Sequence, residues 1–369
     1  MLRTLRLLFP LLTLPLIAGT GHARERAAEH GPDLTAFVAR LDALRTERAI
    51  PGLSFAVVQD GQVLLAAGLG VADLDTGTPA TAETAYDIAS VTKPTSAVVA
   101  LRLVEEGVLD LDRPIAEYSD WVDFCTAFAE RPLLFARDLR CDPATHTLRH
   151  LLSHMPVGTP GARFSYNPVL YSWASRPIMA ATDTPFSTLV ERHVFEPAGM
   201  TASARKHRAL PLPPTVAARL APPHRLDASG ALVRAPDLAP QGDGAAGGVV
   251  SSVLDLARFD IALDEGRLIS EASRTEMLTP TQTLDGSPAP YGLGFYVQDH
   301  AGLRLVWHGG WWEEAYSALY LKIPEQRLTF IALANSEGMW WGNPLEEATV
   351  ERSPFAQAFF ATFAPQALP

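Results

Sequence analysis

"YDIASVTKPTSAVVALRLVEEG", residues Tyr86–Gly107, places a serine three residues ahead of a lysine at the head of an apolar run. Lysine is scarce in this chain: beyond Lys93 there are only Lys206 and Lys322, and arginine carries the rest of the positive charge. Pro94 has no N–H and fits a helix only in its first turn, so the stretch predicts a helix that begins near Ser90 and stops at Gly107. Val98, Val99, Leu101, Leu103 and Val104 leave it apolar on most sides, the pattern of a buried helix. Ser90 then stands at the helix N-terminus, where free N–H groups favour a developing oxyanion. Lys93, one turn on, shares its face and can exchange a proton with the hydroxyl. Desolvation in such a place lowers a lysine's pKa enough for it to act as a base. The alternative, a serine cap beside a solvated lysine, conflicts with the lack of polar surface on this helix.

A second Ser-x-x-Lys exists, Ser203-Ala204-Arg205-Lys206. Charged residues and prolines follow it instead of an apolar run, so it is expected on a surface loop.

Upstream, Leu34, Phe37, Val38, Leu41 and Leu44 recur at helical spacing behind Asp33, a fitting cap. "LSFAVVQDGQVLLAAGLG" then gives two apolar β-rich runs joined by Asp60-Gly61, a strong hairpin signal. Downstream, residues 108–244 are rich in Pro and Arg with short helical patterns, clearest in "THTLRHLLSH" and "PFSTLVERHVF". The proline-dense segment from Ala209 to Pro240 reads as a long surface excursion. Order returns at "GAAGGVVSSVLDLARFDIAL", where Ser252 and Asp255 form a capping-box pattern. Three strand-like runs follow, "LRLVW", "YSALYLKI" and "RLTFIALAN". Strands at both ends with helices between predict an α+β fold, one antiparallel sheet flanked by helices and completed by both ends of the chain. The expected division is a sheet domain of residues 24–107 and 245–369 carrying a mainly helical, irregular insertion of residues 108–244. A cleft between them is the expected place for a site.

The 369 residues are 47% hydrophobic and 19% charged, enough to bury a sizeable core. The net charge of −11 and the lack of a basic stripe argue against a nucleic-acid partner. Arg3 and Arg6, the apolar run Leu7 to Ala18 and the small-x-small Gly21-His22-Ala23 read as a cleavable signal peptide over residues 1–23. That run is short for a membrane span, so an exported, periplasmic protein without a stable membrane anchor is expected. In that oxidising setting Cys125 and Cys141 form a natural disulfide, contributing on the order of 3 kcal/mol if unstrained. His146, His150 and His154 recur every four residues, the spacing of one helical face. His146 precedes the helix start at Thr147, however, and no carboxylate or cysteine completes a ligand set, so no metal is expected. Neither G-x-S-x-G nor H-E-x-x-H occurs. The sequence carries no signal for oligomeric state.

Taken with Ser90-Val91-Thr92-Lys93, the stretches "LRHLLSHMPVGTPGARFSY" (Leu148–Tyr166), "AGGVVSSVLDLARF" (Ala246–Phe259), "YGLGF" (Tyr291–Phe295) and "WHGGWW" (Trp307–Trp312) resemble the serine β-lactamase-like superfamily. That group includes class C β-lactamases, D,D-peptidases and related esterases. The resemblance implies an acyl-enzyme hydrolase without a cofactor, with Ser90 as nucleophile and Lys93 and Tyr166 handling its proton. Tyr118 and Tyr171 are the rival bases. Pro168 stands where the family's Tyr-x-Asn motif has asparagine, which leaves Asn167 as the available substitute. His308-Gly309-Gly310 takes the place of Lys-Thr-Gly, and the Trp311 amide would join that of Ser90 as the oxyanion hole. Histidine is a weaker cation than lysine, so a substrate carboxylate would be held less well. This favours a small-molecule or peptide-like ester or amide substrate over a β-lactamase or D,D-carboxypeptidase proper; a catalytically silent binding protein on the same scaffold is the further alternative, motivated by the altered asparagine and lysine positions. Trp311, Trp312, Trp340 and Trp341 could wall an apolar acyl pocket.

Overall fold

The computed structural model describes residues 31–142 and 144–368. The signal-peptide segment lies outside the described residues. Helix α1 (Leu34–Glu47) starts where Asp33 accepts a hydrogen bond from the Ala36 N–H at 2.9 Å, and it buries Phe37, Leu41 and Leu44. Strands β1 (Gly52–Gln59) and β2 (Gln62–Asp73) follow, joined through Asp60 and Gly61 at φ +52° and +75°. Two successive positive φ values are what a tight hairpin turn requires, hence Asp-Gly.

The short β3 (Thr78–Pro79) and the strands β4 (Tyr296–His300), β5 (Leu303–Trp312), β6 (Tyr316–Ile323) and β7 (Leu328–Ala334) complete a seven-stranded sheet ordered β3-β2-β1-β7-β6-β5-β4. All its pairings are antiparallel, and β1 meets β7 from Leu53↔Ala334 to Gln59↔Leu328, so early and late parts of the chain close one sheet. Alternate residues serve opposite faces. Phe55, Val57, Leu319 and Leu321 pack under α1 and the helix Pro354–Phe363, where Phe37 meets Phe55, Phe330 and Phe363 edge-on. Ala56, Val58, Ala318 and Tyr320 face the other core, built with helix α2 (Thr92–Glu105) and the helices of the middle of the chain. With both faces covered, β6 and β7 are buried along their whole length instead of alternating.

The middle of the chain holds short helices, among them Trp121–Ala129, Leu148–Leu152 and Pro168–Trp173, and Cys125 is bonded to Cys141. Two expectations change. Ser203–Lys206 is not a surface loop: Ala204–Arg205 is a buried strand paired with Val249–Ser251. Ser203 Oγ donates to Asp255 at 2.8 Å, and Arg205, 2% exposed, pairs with Asp243. Local sequence polarity misled because those polar groups are satisfied by partners some 40 to 50 residues away. The capping box is also one-sided. Ser252 Oγ caps Asp255 N–H, while the Asp255 carboxylate accepts from the Ala202 N–H and Ser203. Residues 209–240 include a two-stranded hairpin, His224–Leu226 with Leu232–Arg234, anchored where His224 meets Asn335.

Among the described residues no helix is long and apolar enough to cross a membrane.

Candidate active site

The turn that carries Ser90 is built from the sequence just before α2. Ala89–Val91 form one tight turn ahead of Thr92, and Ala89 holds φ +48°, a strained value for a residue with a side chain. The Asp87 carboxylate keeps it there, accepting from the Ala89 N–H at 2.9 Å and from Trp312 Nε1 at 2.9 Å. Burial pushes the Asp87 carboxyl above its ordinary range, and these two donors oppose that shift. The result presents Ser90 at the head of α2, partly accessible among buried neighbours.

Lys93 lies one turn further on, fully buried. Its Nζ is 2.7 Å from Ser90 Oγ and 3.4 Å from the carbonyl of Ala246. Among the described residues no carboxylate pairs with it, and burial holds its amine well below the ordinary lysine range. The Tyr166 hydroxyl reaches the same Ser90 Oγ at 3.0 Å, and Lys93 Nζ sits 4.9 Å from the centre of its ring. Burial raises the Tyr166 phenol above its usual value, against the opposing hydrogen bond to Ser90. The hydroxyl, amine and phenol therefore meet at one oxygen, with burial favouring the uncharged form of both partners.

The rival tyrosines are engaged elsewhere. The Tyr171 hydroxyl donates to the Lys93 carbonyl oxygen at 2.9 Å, and the Tyr118 hydroxyl accepts from the Asp110 N–H. Asn167 is tied into the fold by two hydrogen bonds. Its Oδ1 accepts from the Leu170 N–H at 3.0 Å, capping the helix Pro168–Trp173, and its Nδ2 donates to the Phe135 carbonyl. Asn167 is 2% exposed, with its oxygen committed to the helix cap and one of its two amide hydrogens to the Phe135 carbonyl.

His308 is 1% exposed, and burial holds its imidazole well below the ordinary histidine range. A carbonyl can only accept, so the contact of 2.7 Å to Gly309 O puts the proton on Nδ1, and the Tyr291 hydroxyl donates to Nε2 at 2.9 Å. His308 thus supplies no positive charge. Gly310 lies against the turn that carries Ser90. Strand β4 pairs with β5 only as far as Trp307, so among the described residues the edge from His308 to Trp312 has no partner strand on that side. Trp311 is 39% exposed and stacks on Trp340 at 5.5 Å, with its Nε1 donating to Glu337 at 3.1 Å. Beside Tyr166 lies a cavity of about 420 Å³, lined by Leu134, Phe135, Asp138, Arg163, Ser165 and Glu346 among others.

Residues 35–345 match the profile of the Beta-lactamase family. The chain belongs to that family. It is 29% identical over 308 residues to a D-aminopeptidase of Brucella anthropi, covering 78% of this chain and 56% of the relative, so it spans little more than half the length of that protein. Among solved structures it resembles the octameric penicillin-binding protein homologue from Pyrococcus abyssi, with a TM-score of 0.73, 25% identity, and 91% and 79% of the two chains covered. It shares its fold with the D-amino acid amidase from Ochrobactrum anthropi SV3, with a TM-score of 0.69, 20% identity, and 89% and 98% covered.

For this Beta-lactamase family chain, three site elements escaped the sequence reading: Asp87, the Ala246 carbonyl and His154. An aspartate bonding to the backbone two residues on was a legible signal for Asp87. A backbone carbonyl 153 positions from Lys93 leaves none.

The three histidines are separated by their environments. His146 Nε2 donates to the Pro156 carbonyl, His150 completes a capping box with Thr147, and His154 packs against Tyr166.

Proposed function

We propose that this protein is an exported serine hydrolase that cleaves small amide or peptide-like substrates, and esters, through an acyl-enzyme on Ser90. The observation that carries this reading is the convergence of Lys93 Nζ and the Tyr166 hydroxyl on Ser90 Oγ, at 2.7 and 3.0 Å. Ser90 Oγ attacks the substrate carbonyl carbon as its proton passes to the uncharged Lys93 amine. The carbonyl oxygen becomes an oxyanion received by the N–H groups of Ser90 and Trp311. Collapse breaks the bond to the leaving group, which takes a proton from Tyr166, and Lys93 returns its proton to the tyrosine. Water then follows the same path in reverse to release the acid and restore Ser90.

The similarity to a D-aminopeptidase supports the amide side of the substrate range. The neutral His308 supports it too, because a motif without a cation holds a β-lactam carboxylate poorly. Export is supported by the residue pattern of the first 23 positions and by the Cys125–Cys141 bond, which suits an oxidising compartment.

The test is a panel of D-amino-acid amides and peptides, short p-nitrophenyl esters and a chromogenic cephalosporin, run with labelling by a serine-directed fluorophosphonate. Turnover of amides and esters with little cephalosporin hydrolysis, and labelling lost in Ser90→Ala, is the expected result. Labelling that persists in Ser90→Ala moves the nucleophile elsewhere, and no turnover with no labelling makes the chain a silent scaffold.

A further inference from the structure

One residue beside Tyr166 is placed at evident cost. His154 is fully buried and holds φ +56°, a left-handed backbone conformation that disfavours a side chain. Its Nδ1 accepts from the Asn167 N–H at 3.0 Å, so the proton of the neutral ring sits on Nε2. Nε2 is buried and meets no hydrogen-bond partner among the described residues. Strain and an orphaned buried donor both weaken the fold, and such features persist where the surrounding structure enforces them for function.

The ring of His154 lies among Phe164, Tyr171 and Tyr291, and three contacts of the residue converge on one further neighbour. Its carbonyl accepts from the Ser165 N–H at 2.7 Å, and its Nδ1 holds the Asn167 N–H. These are the residues on either side of Tyr166. Its ring lies against the Tyr166 ring, centroids 4.2 Å apart and planes tilted by 34°. The backbone before Tyr166, the backbone after it and the ring itself are therefore gripped by one side chain and its own carbonyl. The left-handed φ is what turns carbonyl and ring toward the same segment.

We infer that His154 is a positioning residue, a clamp that aims the Tyr166 hydroxyl at Ser90 Oγ without touching substrate. The inference rests on the reading of Tyr166 as the proton-transfer group. Fixing a reacting group to within an ångström is worth about 10²-fold in rate, and that is the loss expected when the clamp is removed.

The experiment measures acylation rate constants by pre-steady-state burst with a p-nitrophenyl ester, in folded variants checked by circular dichroism and melting temperature. His154→Ala should slow acylation about 30- to 100-fold with KM little changed. His154→Asn should recover most of that rate, because asparagine tolerates a left-handed φ and its Oδ1 can accept from the Asn167 N–H. His154→Phe keeps a ring without the acceptor and should not recover it. In a Tyr166→Phe background, His154→Ala should add almost nothing, since the group it aims is gone. Full additivity of the two losses, or an Asn variant as slow as Ala, overturns the clamp. A Tyr166→Phe enzyme as fast as the wild type is a different failure: it removes the tyrosine from the mechanism whatever His154 does.

Discussion

The carbonyl oxygen of Ile88 fills the space where a side chain on Gly310 would begin: a Cβ at that position would lie 2.3 Å from it. The second glycine of "HGG" is thus the surface against which the nucleophile turn is seated. Gly310→Ala must push the turn away from β5, and acylation should fall by about 10²-fold. Gly309→Ala is the comparison, because its Cβ would meet only the rings of Trp340 and Trp341, at 3.5 Å. Burst kinetics on both variants check this, and equal losses would refute the seating role of Gly310.

Lys93 should separate stability from activity. Its amine is buried with no carboxylate beside it among the described residues, so its desolvation is not offset by an ion pair there. Lys93→Met should lower kcat by 10³-fold or more, about 4 kcal/mol of barrier, while the melting temperature stays level or rises. The sign with pH follows from linkage. The folded pKa lies below the unfolded value of 10.5, so the unfolded chain binds more protons in that window. Wild-type stability should therefore rise with pH through that window relative to Lys93→Met. Denaturant titrations at pH 7 and 9 measure it; a difference that shrinks as pH falls would contradict a buried, uncharged lysine.

The other buried lysine should behave in the opposite way. Lys322 Nζ donates to Asp260 at 2.8 Å and to Asp264 at 2.7 Å, and Tyr320 and Thr329 also bond Asp260. Lys322→Met strands carboxylates that are 2% and 20% exposed and should cost about 3–5 kcal/mol of stability. At a temperature where the variant stays folded, kcat should change little, since none of these hydrogen bonds involves Ser90, Lys93 or Tyr166. Urea unfolding combined with steady-state kinetics tests both halves.

The disulfide should matter for substrate as well as for folding. Leu134, Phe135, Arg137 and Asp138, which line the cavity beside Tyr166, lie in the segment that Cys125 and Cys141 close. A Cys125→Ser/Cys141→Ser double variant should lose about 3 kcal/mol of stability. It should also raise KM several-fold with a smaller effect on kcat, because the wall loosens while Ser90, Lys93 and Tyr166 keep their places. Unchanged KM for substrates of different acyl size would show that this wall does not touch them.

Much of the site was legible because its signals are local. Pro94 confines the helix start, so Ser90 and Lys93 fall on one turn, and the apolar run behind them implies that Lys93 is desolvated. The Asp60-Gly61 hairpin and the three late strands follow from turn chemistry and β-rich runs in the same way. Ser203–Lys206 failed because the reading weighed only nearby residues, and its burial depends on Asp243 and Asp255. The partners of Asn167 divide in the same way: the proline after it makes it a helix cap for the Leu170 N–H, which is local, while its amide reaches the Phe135 carbonyl 32 positions away.

By itself the sequence determined which residues could do chemistry and in what order they come, because helix starts, turns and motif spacing depend on neighbours a few positions apart. Only the tertiary structure decided which of them meet and in what charge state. Tyr166 reaches Ser90 across 76 positions, and Trp312 reaches Asp87 across 225. His154 turns from one of three evenly spaced histidines into the residue that grips Tyr166. Long-range packing sets these distances, and the exclusion of water that comes with packing sets the protonation of Lys93, Tyr166 and His308; neither is a property of any short stretch of chain.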